Sequence, residues 1–313
     1  MKRALLVAFA LLALAACKKS GAGAKVDPAL STLVPPDATL LVGIRVEDLM
    51  KAPLYQKYLA DRTLGPLEEF KAETGVNIKK DLWEILFIST GKDNVVLGRG
   101  KFSNEAEPRI ARESQGGQRM SYRGFTLIGD EKTAVLLMGP SLIGMGDTAA
   151  LRRIVDTRDK TNGPPAVLAN RMKDIPGEAE MWAVFRGTPI TLPPNAPPNM
   201  GNLVKTMNSV ESGSFYLDFN TGISGKASGS AATDPAAKEL YDSLRGMLGL
   251  VRLMGGKNDV KQQRLYDGLR VTQDGRNVNL YIEEQEDSIA TLMDLVMGVA
   301  NTRGRSDAPT PLR

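Results

Sequence analysis

The sequence predicts an α+β protein built as two halves of mainly antiparallel hairpins with helices packed on them. Three observations carry that prediction. Short β-branched or apolar runs recur in pairs around turns bearing glycine and aspartate. Between them lie stretches whose leucines, tyrosines and methionines recur at helical spacing. A cluster of prolines near residue 194 separates one set of such elements from the next, because proline supplies no ladder or helix donor.

Taken in order, the folded part begins at Val34-Pro35-Pro36-Asp37, and residues 39–46 read as its first strand. Leu54, Tyr55, Tyr58 and Leu59 follow at helical spacing. Pro66 opens another helix, with Leu67 and Phe70 on one face and Gly75 just past its end. Residues 82–88 and 95–98 read as paired strands about a turn at 91–94, and Asn104 with Glu107 forms a capping box for a short helix. Residues 122–128 and 133–138 flank a turn at 129–132. The glycines of 139–146 read as a turn leading into Asp147, which caps a helix carrying Leu151, Ile154 and Val155. Residues 181–185 are a further strand.

Pro189, Pro193, Pro194, Pro197 and Pro198 make an extended connection. Beyond it, residues 214–219 and 223–231 flank Asn220-Thr221-Gly222, a hairpin pattern. Thr233 caps a long helix whose apolar stripe is Leu240, Leu244, Met247, Leu248 and Val251, ended by Gly255-Gly256. Residues 269–273 and 278–282 flank Asp274-Gly275 as another hairpin, and Ile289, Leu292, Met293, Val296 and Val299 mark a last helix. Tyr122-Arg123-Gly124-Phe125 with its following turn and strand parallels Tyr266-Asp267-Gly268-Leu269 with its own. On so few identities, a degenerate internal repeat and two unrelated halves both stay open.

The first residues have a different physics. Lys2 and Arg3 precede an unbroken apolar run over 4–16, too short for a bilayer core, which needs about 20 apolar residues. A basic start, a short apolar centre and small residues at its end describe a secretory signal. Leu14-Ala15-Ala16-Cys17 at that end resembles the lipobox of bacterial lipoproteins, and the organisation as a whole resembles uncharacterised envelope lipoproteins. The resemblance implies cleavage before Cys17 and acylation of its thiol. Three acyl chains, as is common with this motif, would hold the protein permanently, since each buried CH₂ is worth about 0.8 kcal/mol and one chain binds only marginally. Cys17 is also the only cysteine, so it has no disulfide partner within the chain. Lys18 at the following position, in place of aspartate, implies delivery to the outer membrane where the host has two.

The domain organisation expected is therefore a signal peptide at 1–16, the lipidated cysteine with a flexible tether at 17–33, an N-terminal half at 34–187, a proline-rich linker at 188–201, a C-terminal half at 202–300 and a disordered tail at 301–313. No second long apolar run follows the first, so the body reads as soluble. The formal charge is +4 with acidic and basic residues interspersed, and no basic stripe with interleaved aromatics argues for nucleic acid. Lys18, Lys19 and Lys25 lie beside the lipid and can meet anionic headgroups.

Histidine is absent from the chain, which removes Ser-His-Asp and Cys-His nucleophiles, imidazole acid–base chemistry and His-ligated zinc. Ser89-Thr90-Gly91-Lys92 matches the S-x-x-K of penicillin-binding proteins and serine β-lactamases, but it follows a strand and is made of turn residues. The glycines of 139–146 are spaced like a phosphate loop, yet Met145 and Gly146 stand where lysine and a hydroxyl are needed. The acids of 283–287 fit a helix start better than a calcium site, and 218–222 reads as a hairpin turn. The methionines sit beside leucines at helical spacing, a core pattern. No catalytic residue, metal ligand or cofactor is expected; Cys17 is the one site residue. The expected role is a lipid-anchored, non-enzymatic binder or scaffold with an envelope protein as partner. A ligand-capturing lipoprotein and a hydrolase using carboxylates or the Ser89–Lys92 pair are the alternatives.

Overall fold

In the computed structural model, the described residues are 23–62, 67–68, 71–72, 76–102, 106–113, 117–158, 160, 162–187, 209–254 and 267–284. The strands are β1 (Leu40–Ile44), β2 (Leu82–Ser89), β3 (Asn94–Gly100), β4 (Gln118–Tyr122), β5 (Phe125–Gly129), β6 (Thr133–Leu137), β7 (Leu142–Asp147), β8 (Met181–Arg186), β9 (Val210–Asp218), β10 (Ile223–Ala231), β11 (Leu269–Asp274) and β12 (Asn277–Glu284). The helices are α1 (Pro28–Ser31), α2 (Val46–Lys51), α3 (Pro53–Tyr58), α4 (Ile78–Asp81), α5 (Ala106–Glu113), α6 (Thr148–Thr157), α7 (Ala166–Met172) and α8 (Asp234–Met254).

The strands join in one 12-stranded sheet of order β11-β12-β10-β9-β8-β1-β2-β3-β7-β6-β5-β4. Neighbouring strands all run antiparallel. The α+β class with antiparallel hairpins is thus the class observed. The two expected halves are not separate bodies, however. β8 pairs with β1 and β9 pairs with β8, so one ladder runs through both.

Read outward from the β1–β8 seam, residues 40–147 and 181–284 share one plan. Each is a three-stranded meander, then a helix, then strands that return so that the last of them pairs with the third: β7 on β3, β12 on β10. Across the sheet, the row Val42, Phe87, Val96, Met145, Val135 corresponds to Ala183, Phe215, Ala227, Leu280, Val271. Val42 and Ala183 are themselves direct partners, which puts a local two-fold axis between them. This places β11–β12 opposite β6–β7. The sequence parallel between residues 122 and 266 matches them to β5–β6 instead, one strand out.

Side-chain alternation divides the sheet into two buried faces. On one, Leu41, Leu86, Ile88, Leu97, Leu127, Leu136, Trp182 and Val184 meet Leu151 and Ile154 of α6, Leu168 and Met172 of α7, and Leu30, Leu33 and Val34 of the N-terminal segment. On the other, Val135, Ile143 and Ile128 meet Val46, Val76 and Ile110 of α5. α8 covers this same second face in the other half, with Ala237 and Leu240 against Val210, Ala231 and Val278. Gly43 lies on the first face because the Trp182 indole occupies the space above it; a Cβ there would come within 2.1 Å of the ring.

Several elements differ from the sequence reading. Residues 122–128, expected as one strand, are broken by the Arg123-Gly124 turn between β4 and β5, and the rest of β4 had no sequence expectation; the turn's φ of 46° and 83° suit the tight hairpin turns that match strand twist. Residues 142–147 form strand β7 and not a glycine turn. Gly144 is there because a Cβ would lie 3.0 Å from Leu151 of α6, so the helix packs directly on the strand. Asp147 precedes α6 but does not cap it; its carboxylate accepts the Asn94 N–H at 2.8 Å. α7 had no sequence expectation. Thr233 does cap α8, accepting the Ala236 N–H at 3.3 Å. The apolar stripe of α8 is buried at Leu240 but exposed at Met247, and Leu250 beside it is 60% exposed. Pro66, Phe70, Gly75, Asn104, the prolines of 188–201, Gly255-Gly256, the helix expected at 289–299 and the tail at 301–313 lie outside the described residues. No helix among the described residues is long and apolar enough to cross a membrane.

Candidate functional site

Cys17 lies outside the described residues, and Gly23, the first of them, is already packed. The tether expected to run through residue 33 is therefore ordered from there onward. Gly23 allows a close approach: a Cβ would stand 2.4 Å from Lys173 Cα and from Met172 O. The Ala24 N–H donates to Met172 O and Ile175 O at the end of α7, both at 3.0 Å. Ala24, Val26, Leu30, Leu33 and Val34 are all buried, so the segment is part of the core. Asp27 organises its turn into α1. Its carboxylate caps the helix by accepting the Ala29 N–H at 2.8 Å, and Pro28 follows at the first helical position.

The same Asp27 carboxylate forms an ion pair with Arg99 of β3, and the Asp27 N–H donates to the Glu84 carboxylate of β2 at 3.3 Å. A bulge between Leu82 and Glu84 turns Trp83 outward, where 41% of it is exposed. The Arg99 guanidinium lies 5.8 Å from the Trp83 ring centre, a cation–π distance. Arg45, at the end of β1, pairs with Asp48 and donates to Gly177 O at 2.6 Å.

Burial pushes the Glu84 carboxyl up to about 7; Arg45 pulls it back and Asp48 adds to the rise. Glu84 is thus a carboxyl that exchanges its proton near neutrality, placed beside the docked segment. Glu180, next to this cluster, is buried and also raised by burial, opposed by its hydrogen bonds. It accepts the Phe219 N–H at 3.0 Å and the Asn220 amide at 2.6 Å, fixing the β9–β10 turn to the start of β8.

A second polar feature lies on the first face at the outer strands. Tyr216, Lys226, Tyr281 and Arg270 stand in one cross-strand row, and Ser214, Ser228, Asn279 and Thr272 in the next. Lys226 lies 5.5 Å and Arg270 4.2 Å from the Tyr281 ring centre. Burial raises the Tyr216 hydroxyl, with nearby anions adding to it. Cross-strand pairs of this kind stabilise the sheet, and Ser214, Ser228 and Asn279 in the second row are buried. Against the opposite face, Val76, Leu82, Val96, Val135 and Ile143 line a cavity of ≈ 20 Å³, room for one water-sized body and not for an organic ligand.

Ser89 and Lys92 lie at the β2–β3 turn. The Ser89 hydroxyl accepts the Gly91 N–H at 3.1 Å and the Thr90 hydroxyl accepts the Asp93 N–H at 3.2 Å, with Gly91 at φ 84°. Asp218 to Gly222 form the β9–β10 turn, with the Asp218 carboxylate accepting the Asn220 N–H at 2.9 Å. Glu283 and Glu284 end β12, and 285–287 lie outside the described residues. Among the described residues no group of three or more acidic, histidine or cysteine side chains is placed to hold a metal ion. The Asp27–Glu84–Arg99 cluster was not anticipated. Its one visible mark is Glu84, a lone acid inside an apolar strand.

No protein-family model matches the chain, and no curated protein sequence does either. Among solved structures, crystal form I of TP0453 is similar at 12% identity and a TM-score of 0.49, covering 86% of this chain and 97% of that one. Crystal form III of TP0453 matches with a TM-score of 0.51 at 12% identity, over 86% of this chain and 98% of that one, and this likeness is one of fold.

Proposed function

We propose that the chain is a lipid-anchored envelope protein with a non-enzymatic role, binding or scaffolding a protein partner. The observation that carries this reading is Leu14-Ala15-Ala16-Cys17, set directly behind a basic start and a short apolar run. Cleavage before Cys17 and acylation of its thiol follow from it, and Lys18 favours the outer membrane, facing the periplasm, in a two-membrane host. The joining of both halves in one ladder supports binding on a fixed surface over capture of a solute in a hinged cleft. The turn geometry of Ser89 and Lys92 lends support against the serine–lysine hydrolase alternative, since that chemistry needs the serine at the head of a helix with the lysine one turn on.

Growth with a labelled fatty acid tests the anchor. The protein is expected to carry label and sediment with membranes, and Cys17→Ser is expected to lose both properties. Unlabelled wild-type protein in the soluble fraction would sink the reading. Cross-linking in intact envelopes, with Cys17→Ser as control, then tests the partner: one protein recovered in near-stoichiometric amount is expected.

A further inference from the structure

The length of chain between the acylated cysteine and Gly23, which is packed on the body, limits how the body can stand on the membrane. Cys17 and Gly23 are six residues apart, and an extended chain spans at most about 3.6 Å per residue, so the Gly23 Cα stays within about 22 Å of the Cys17 Cα. A flexible tether through residue 33 would have let the body turn freely. The observed docking of Gly23 on Met172 and Lys173, and of Ala24 on Met172 and Ile175, shortens that tether.

Asp27, four residues on from Gly23, sits at a defined end of the sheet, against Arg99 and Glu84. Ile44 at the finish of β1 pairs with Ile85 near the start of β2 and with Met181 at the start of β8, so these strands share the end to which the α7–β8 connection belongs. Gly177 of that connection accepts the Arg45 side chain, and Asp27 reaches Arg99 at the finish of β3. Trp83 projects from the same end, two residues before Ile85. It is the more exposed of the two tryptophans, at 41% against 1% for Trp182. Tryptophan has an apolar ring with one polar N–H and favours the headgroup level of a bilayer, where both parts are satisfied. Lys25 and Lys173 are exposed nearby, and Lys18 and Lys19 lie between them and the thiol, a set of cations suited to anionic headgroups.

We propose that this end of the sheet rests on the lipid surface that holds Cys17, with Trp83 seated among the phospholipid headgroups. The body is then fixed in orientation, with the opposite strand ends, including the Ser89–Asn94 turn, pointing away from the membrane toward any partner. The inference rests on the acylation of Cys17 proposed above.

The test uses the full acylated protein on phosphatidylethanolamine–phosphatidylglycerol vesicles, with and without lipids brominated near the glycerol end of the acyl chain. Flotation reports anchoring and tryptophan emission reports contact. Trp182, being buried, supplies a constant background that Trp83→Phe measures alone. The expected result is co-flotation of both proteins, a blue shift of the Trp83 emission on vesicle binding, and its loss on brominated vesicles in the wild type only. Wild-type protein that floats but shows the same emission on both vesicles would leave the anchor standing and overturn the orientation, pointing to a protein partner for Trp83. Protein that does not float overturns the anchor and this inference together.

Discussion

Single residues at the docking cluster set its response to pH. Glu84 ordinarily titrates at 4.5 and is raised to about 7 in the folded protein, chiefly because its carboxyl is desolvated. Between those values the folded protein holds a proton that the unfolded chain has released. The stability so gained is complete below 4.5 and is lost as pH rises through about 7, where the ionised group must be kept in a poor solvent. Glu84→Gln keeps an oxygen for the Asp27 N–H without the charge. The variant is expected to exceed the wild type in urea midpoint at about pH 8, with the advantage shrinking toward about pH 5. A constant difference at both would show that Glu84 is not the titrating group. Arg99 and Trp83 are read together for the same reason: the cation shares its charge between the Asp27 carboxylate and an aromatic face.

At the scale of elements, the N-terminal segment is held by a cap, an ion pair and the buried apolar side chains of Ala24, Val26, Leu30, Leu33 and Val34. Asp27→Ala removes the cap and the pair but not the apolar contacts, so a loss of about 1–2 kcal/mol is expected in urea unfolding. Hydrogen exchange should quicken at the Leu30 and Ser31 amides, which donate to Asp27 O, and stay unchanged at Leu97 in the sheet. Uniform acceleration would mean that the segment is not a separate unit. Hairpins with glycine- or aspartate-bearing turns were legible from sequence, since turn chemistry and alternation are both local. β7 was not, because Gly144 and Gly146 answer to the packing of α6 and to φ 146°, which no local pattern reveals. β4 is a short polar edge strand without alternation, and α7 is seven residues long. The docking of 24–34 was missed because small and polar neighbours masked Val26, Leu30 and Leu33, whose burial is decided by strands far along the chain. Glu84 and Arg99 were invisible as a pair for the same cause: their register depends on a bulge.

Over the whole molecule, the β1–β8 seam decides whether the protein behaves as one unit. Leu41 and Val184, direct partners in that seam, are both fully buried, and the ladder continues on either side. A cut within 188–201 falls between β8 and β9, which pair from Met181–Leu217 to Arg186–Ser212, so protease nicking there should leave the two fragments associated in gel filtration and unfolding in a single transition. Fragments that separate, or two transitions, would mean that the β8–β9 pairing does not hold the sheet together. The two-fold relation described above reaches further than stability. The connecting helices α5 and α8 cover the same sheet face, as rotation about an axis normal to the sheet requires and a mirror-like arrangement would not. With Val42 opposite Ala183, the lead strand of either half meets its counterpart head to tail, in the geometry by which two identical subunits close on each other. The seam is therefore an isologous contact of the kind that closes a homodimer, made here within one chain.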